Sequence, residues 1–158
     1  MLVDLQHGLH YGETPRVTAA TVHTDEARGE ISGTVHVKGW TEREASFVVR
    51  FSEPVLGIET LPARAGERAP RLVLTFAAPR QRVLEARVAL STVDVNGARG
   101  NLAADAGKSF KQVRAEADAE WNGLLGRINI ESPPRQKRIF YSALYRALLH
   151  PSDIADAD

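Results

Sequence analysis

Cysteine is absent from the 158-residue chain, which removes disulfide staples, thiolate metal sites and cysteine nucleophiles together. A dominant sign of charge is also missing. Twenty Lys and Arg stand against twenty Asp and Glu, so no broad positive field is available for a phosphate backbone or an anionic lipid surface, and neither nucleic acid nor membrane is expected as a partner. No apolar run approaches the roughly 18 residues needed to span a bilayer. The start, Met1-Leu2-Val3-Asp4-Leu5-Gln6, has neither the basic region nor the apolar stretch of a signal peptide, so the chain as written is not expected to be exported. Lack of cysteine leaves the compartment otherwise open. Dinucleotide fingerprints, serine-nucleophile elbows and N-glycosylation acceptors are absent as well.

What remains is an ordinary folded composition, 43% apolar and 25% charged with 12 Gly and 8 Pro, in a length that suits one domain or two unequal pieces. Arg16 to His23 and Gly29 to Val37 are rich in Val and Thr and flank the polar stretch Thr24 to Arg28, which predicts a hairpin. Ala45 to Ser52, Arg71 to Phe76 and Arg82 to Thr92 continue the strand pattern. Leu61 to Pro70, with two prolines and Gly66, reads as a solvated loop.

After Val95 the period changes. A short helical turn is expected around Leu102, ended by Gly107. Ser109 with Gln112 three residues on forms a capping box, and Phe110, Val113, Ala117, Trp121, Leu124 and Ile128 make one stripe of a helix of about five turns. A second helix is expected after Ser132 as N-cap and Pro133 at the first helical position, burying Ile139, Phe140, Ala143, Leu144, Ala147 and Leu148 before Pro151 stops it. The fold class is therefore α+β, an antiparallel β-sandwich portion followed by two or three α-helices.

Local chemistry leaves function open. Gly107-Lys108-Ser109 has the form of a phosphate-loop end, but Leu102 stands where that motif needs its first glycine. His7 and His10 lie in a Gly-rich loop, too few for a metal site by themselves, and His23 and His36 are expected at the surface, unpaired with each other. Asp153, Asp156 and Asp158 make an acidic end, short of the six to eight or so oxygens that calcium takes. Trp40 is either a sugar-stacking platform or, the commoner use of an aromatic, an anchor packed on the sheet. No catalytic residue and no metal ligand can be assembled from the residues present.

Read in order, Val3 to Leu9, Ile31-Ser32-Gly33-Thr34, Gly39-Trp40, Phe47 to Ser52, Val88 to Val93, Asn101-Leu102, Trp121-Asn122, Ile139 to Tyr145 and His150-Pro151 resemble the family 92 glycoside hydrolases. That resemblance implies a β-sandwich over residues 1–95, a helical linker over 96–131 and, over 132–158, the first helix of an (α/α)6 catalytic barrel. It implies calcium-dependent, inverting exo-α-1,2-mannosidases, secreted or periplasmic, acting on N-glycans and mannans. Asp156 and Asp158 match the family's Asp-x-Asp step and, with Trp40, are the sugar-binding candidates. Acid, base and calcium ligands are implied to lie in the barrel outside this chain, so the chain is expected to hold no cofactor and to be inactive alone. Homo-oligomers through exposed sheet edges and the helix stripe are expected, with α-mannosides as the carbohydrate partner. The alternative is a stand-alone carbohydrate-binding or protein-interaction sandwich module.

Overall fold

The computed structural model describes residues 1–7, 17–25, 28–39, 41–77, 83–150 and 155–157. Among these residues two antiparallel sheets come first and three helices follow, an α+β arrangement. Two compact units divide the chain, one of residues 1–106 with 155–158 and one of residues 107–154.

In the first unit, β2 (Val17–Asp25) and β3 (Glu30–Lys38) form the expected hairpin, and β4 (Glu42–Phe51) and β7 (Ala86–Ser91) extend it into a sheet of order β2-β3-β4-β7. The β2–β3 turn is closed by the Asp25 carboxylate, which accepts from the Arg28 N–H at 3.1 Å, and by Gly29 at φ +57°. His23 pairs with Ser32 and His36 with Ala19, so the two histidines are apart as expected. The smaller sheet has the order β1-β6-β5, from β1 (Leu2–Asp4), β6 (Arg71–Phe76) and β5 (Val55–Thr60). Between the sheets lies the main core, where Ile31, Phe47 and Val49 meet Leu72 and Leu74. Each such side chain, removed from water, contributes about 1.5–3 kcal/mol. Phe51 and Phe76 add an edge-on ring contact at 5.0 Å.

Residues alternate between the two faces of a strand, so Val48, next to inward Phe47 and Val49, points outward. It is nonetheless fully buried, because α1 (Val95–Ala104) lies over it and brings Ala98 and Leu102. The expected turn around Leu102 is thus a full helix, started by the Asp94 carboxylate on the Gly97 N–H. Small residues on its sheet-facing side allow the close approach. Val88 and Leu90 of β7 pair with Val49 and Phe47 and so sit on the core-facing side, yet each is 61% exposed. The smaller sheet does not reach over them.

The second unit holds α2 (Phe110–Leu125) and α3 (Pro134–Ala147). The capping box is formed, with Ser109 Oγ accepting from the Gln112 N–H and Gln112 Oε1 accepting from the Ser109 N–H. Sixteen residues make α2 about four and a half turns rather than five. The start of α3 differs by one residue from expectation. Pro133 is its N-cap, without a side-chain cap bond, and the Ser132 hydroxyl turns instead to Gln136 Oε1. Trp121 and Tyr145 meet at 4.5 Å, and Tyr141 donates to the Ile128 carbonyl at 3.0 Å. No residue of either helix is buried, which corrects the expectation of a buried α3 face. Ile139 is 57% exposed, Ala143 and Ala147 are exposed, and only Phe140 and Leu144 are partly covered. Two helices with so few mutual contacts supply no interior to bury them in.

Candidate functional site

Of the three sugar-binding candidates, Asp156 falls among the described residues, while Trp40 and Asp158 lie outside them. Its surroundings begin at the end of β7. Ser91 is buried, and its hydroxyl accepts from the Val93 and Asp94 N–H groups at 2.9 and 3.3 Å, turning the chain from strand into helix. The same hydroxyl donates to Asp156 Oδ2 at 2.7 Å. From α1, Asn101 Nδ2 donates to Asp156 Oδ1 at 2.8 Å and to the Leu90 carbonyl at 2.8 Å. Asn101 Oδ1 accepts from the Ala157 N–H at 2.6 Å. Gly97 lies against this cluster, and a Cβ there would collide with Asp156 Oδ2 and come to 2.6 Å from Ser91 Oγ. The absence of a side chain is what admits the carboxylate.

A second charged cluster lies on the outward face of the same sheet. The Glu30 carboxylate is wholly covered, and it accepts from Arg99 Nε of α1 at 2.8 Å and Arg50 Nε of β4 at 3.0 Å. Burial works to raise the Glu30 pKa, but the hydrogen bonds and positive charges of Arg99 and Arg50 outweigh it and hold it below the usual carboxylate range. Arg99 also donates to Asn96 Oδ1 at 3.2 Å. This arrangement ties β3, β4 and α1 together and presents no unpaired charge to a ligand.

Where β3 gives way to β4, Lys38 and Glu42 pair at 3.3 Å, and His36 Nδ1 lies 3.4 Å from Glu44 Oε2 along an open groove that Thr18 also lines. Among the described residues no three His, Asp or Glu side chains gather as a metal cage. Sequence reading missed Ser91, Asn101, Gly97, Glu30 and Arg99 as partners in a site. Ser91 and Asn101 do fall within segments that carry the family resemblance, the one signal that pointed at them.

Comparison with known proteins places this geometry. Residues 97–158, from the first turn of α1 onward, match the glycosyl hydrolase family 92 catalytic domain. The fold is similar to that of the family GH92 alpha-mannosidase BT3965 from Bacteroides thetaiotaomicron, with a TM-score of 0.79 and 25% identity over 90% of this chain and 21% of that chain. The same figures hold for that mannosidase in complex with mannoimidazole. The Family GH92 Inverting Mannosidase BT2199 from Bacteroides thetaiotaomicron VPI-5482 has a TM-score of 0.77 at 24% identity, again over 90% of this chain and 21% of that one. No curated protein matches the chain in sequence. The chain spans about one-fifth of the length of the mannosidases it resembles. Its resemblance to family 92 glycoside hydrolases therefore holds in sequence over residues 97–158 and in fold over nine-tenths of its length.

Proposed function

We propose that this chain, resembling family 92 glycoside hydrolases in sequence and fold, is the sandwich-and-helix portion of an exo-α-mannosidase. Its substrates are α-1,2-mannosides of N-glycans or mannans, and it has no hydrolytic activity of its own. The observation that carries the reading is the superposition of nine-tenths of the chain on a mannosidase about five times as long. An inverting glycosidase places a general acid and a general base about 6.5–9.5 Å apart, with a water between the base and the anomeric carbon. We assign both carboxylates, and the calcium ligands that the resemblance implies, to parts of the catalytic domain other than these residues. Calcium takes about six to eight oxygens, and among the described residues no three acidic or histidine side chains gather to offer them.

Within the chain, the sandwich unit supplies a fixed platform and the helical unit supplies apolar surface. Trp40, Asp156 and Asp158 are the residues we assign to sugar contact, the tryptophan by stacking and the two carboxylates by accepting hydroxyl protons. The exposed stripe of α3 and the uncovered Val88 and Leu90 lead us to propose that the isolated chain self-associates.

The test is release of the aryl group from an aryl α-mannoside by the purified chain, with calcium and with chelator. No turnover in either condition, together with saturable mannose binding lost in Trp40→Ala, is the expected result. Chelator-sensitive turnover would place a working acid and base inside these residues and overturn the assignment. Light scattering at micromolar concentration checks self-association, which a monodisperse monomer would refute.

A further inference from the structure

Among the described residues the two sheets present four edge strands, β2 and β7 of the larger and β1 and β5 of the smaller. An edge strand aims alternate N–H and C=O groups at whatever strand comes alongside, and folded proteins blunt that invitation with short strands, charges, bulges or covering elements. Three of the four edges carry such a device. β1 is only three residues long. β5 has an irregular register between Val55 and Gly57 and carries the charge of Glu59. On β7, Arg87 is charged and the Leu90 carbonyl is already taken by Asn101 of α1 at 2.8 Å.

β2 lacks these devices over most of its length. It runs for nine residues, from Val17 to Asp25, without Lys, Arg, Pro or Gly. Its one carboxylate, Asp25, stands at the turn and is paired with Arg28, and its one irregularity lies between Val17 and Ala19. The strand is also complementary to itself. Thr21 is its midpoint, so an antiparallel copy centred there overlaps β2 in full. On the inward side Ala20 then meets Val22 twice, beside the core against which Val22 already packs. On the outward side Ala19 meets His23 twice and Thr21 meets Thr21, and no like charges are opposed.

We infer that β2 is the seam through which two copies of this chain join, antiparallel about Thr21, into one continuous sheet. Apolar stripes supply attraction without direction, whereas an edge strand supplies register. The inference rests on the self-association proposed above and names its surface. It does not depend on the mannosidase part of that reading, so the aryl mannoside assay leaves it untouched.

Sedimentation velocity of the 158-residue protein at micromolar concentration reads the seam, and the wild type is expected as a dimer. Thr21→Lys and Thr21→Glu each set like charges opposite one another at the two-fold axis and should raise the dimer dissociation constant about tenfold or more. An equimolar mixture of the two variants should restore the dimer, which also shows that both fold. Thr21→Ser keeps the hydroxyl that meets Thr34 Oγ1 at 2.7 Å and should match the wild type. Alternate β2 amides of the wild type should exchange more slowly as its concentration rises, with β5 unchanged. A monomeric wild type would overturn the inference together with the self-association it rests on. A dimer that survives Thr21→Lys would overturn the inference and leave self-association standing, and its loss in Ile139→Lys would move the seam to α3. Failure of the mixture to restore what each variant loses would also overturn it.

Discussion

The two units of this chain put their regular structure to opposite effect. Among the described residues of the sandwich unit, seven short strands and one helix enclose two cores, one between the sheets and one beneath α1. The two longer helices of the other unit, one of them started by a full capping box, bury no residue at all. Regularity and interior are therefore separate achievements. Strands hold registers that converge inward side chains from several directions, while a pair of helices presents one stripe each and needs a third surface to close over them.

Substitutions can test that contrast. The largest effect is expected for Leu74→Ala, which opens a cavity in the inter-sheet core and should cost about 3 kcal/mol by urea unfolding. Next comes Glu30→Ala, which leaves Arg50 and Arg99 facing each other without the acid. Because both arginines are partly exposed, the expected loss is about 2 kcal/mol, below that of a fully buried pair. The same group sets a pH dependence. Its pKa is lower in the folded state than in the unfolded chain, so its contribution is complete above the usual carboxylate range and fades as pH falls through the lowered value. Acid unfolding of the wild type but a flatter profile in Glu30→Gln is the expected comparison.

Ser109→Ala removes the capping box of α2 and should cost about 1 kcal/mol of helix stability. Circular dichroism should show the helical signal melting earlier while the sandwich transition stays in place. The smallest effect is expected for Ile139→Lys, within about 0.5 kcal/mol, because that side chain is already 57% exposed. A loss as large as that of Leu74→Ala would break the contrast and show that the α3 stripe is covered in solution.

How much of this was legible in the sequence differs by element. The β2–β3 hairpin and the α2 capping box announce themselves locally, through Val and Thr on either side of a polar turn and through Ser109 and Gln112 three apart. β1 and β5 escape notice because three residues are too few to show a period and Gly57 interrupts the other. α1 reads as a single turn because its buried side is Ala98 and Leu102 among glycines, a stripe too small for an apolar pattern. The surroundings of Asp156 had no local signal, since Ser91 and Asn101 stand 65 and 55 residues away. Only the order of segments shared with a family put those residues on one line.

The bond between Ser91 and Asp156 has a polymer-physics consequence. It closes a ring of chain 65 residues around, and the entropy lost in closing a flexible ring grows only with the logarithm of its length, about 0.6 kcal/mol for each doubling. Ten residues added to the connector between α2 and α3 would alter that term by only about 0.1 kcal/mol. Lengthening the ring therefore costs little, whereas a side chain added at Gly97 would collide with the carboxylate at its seam.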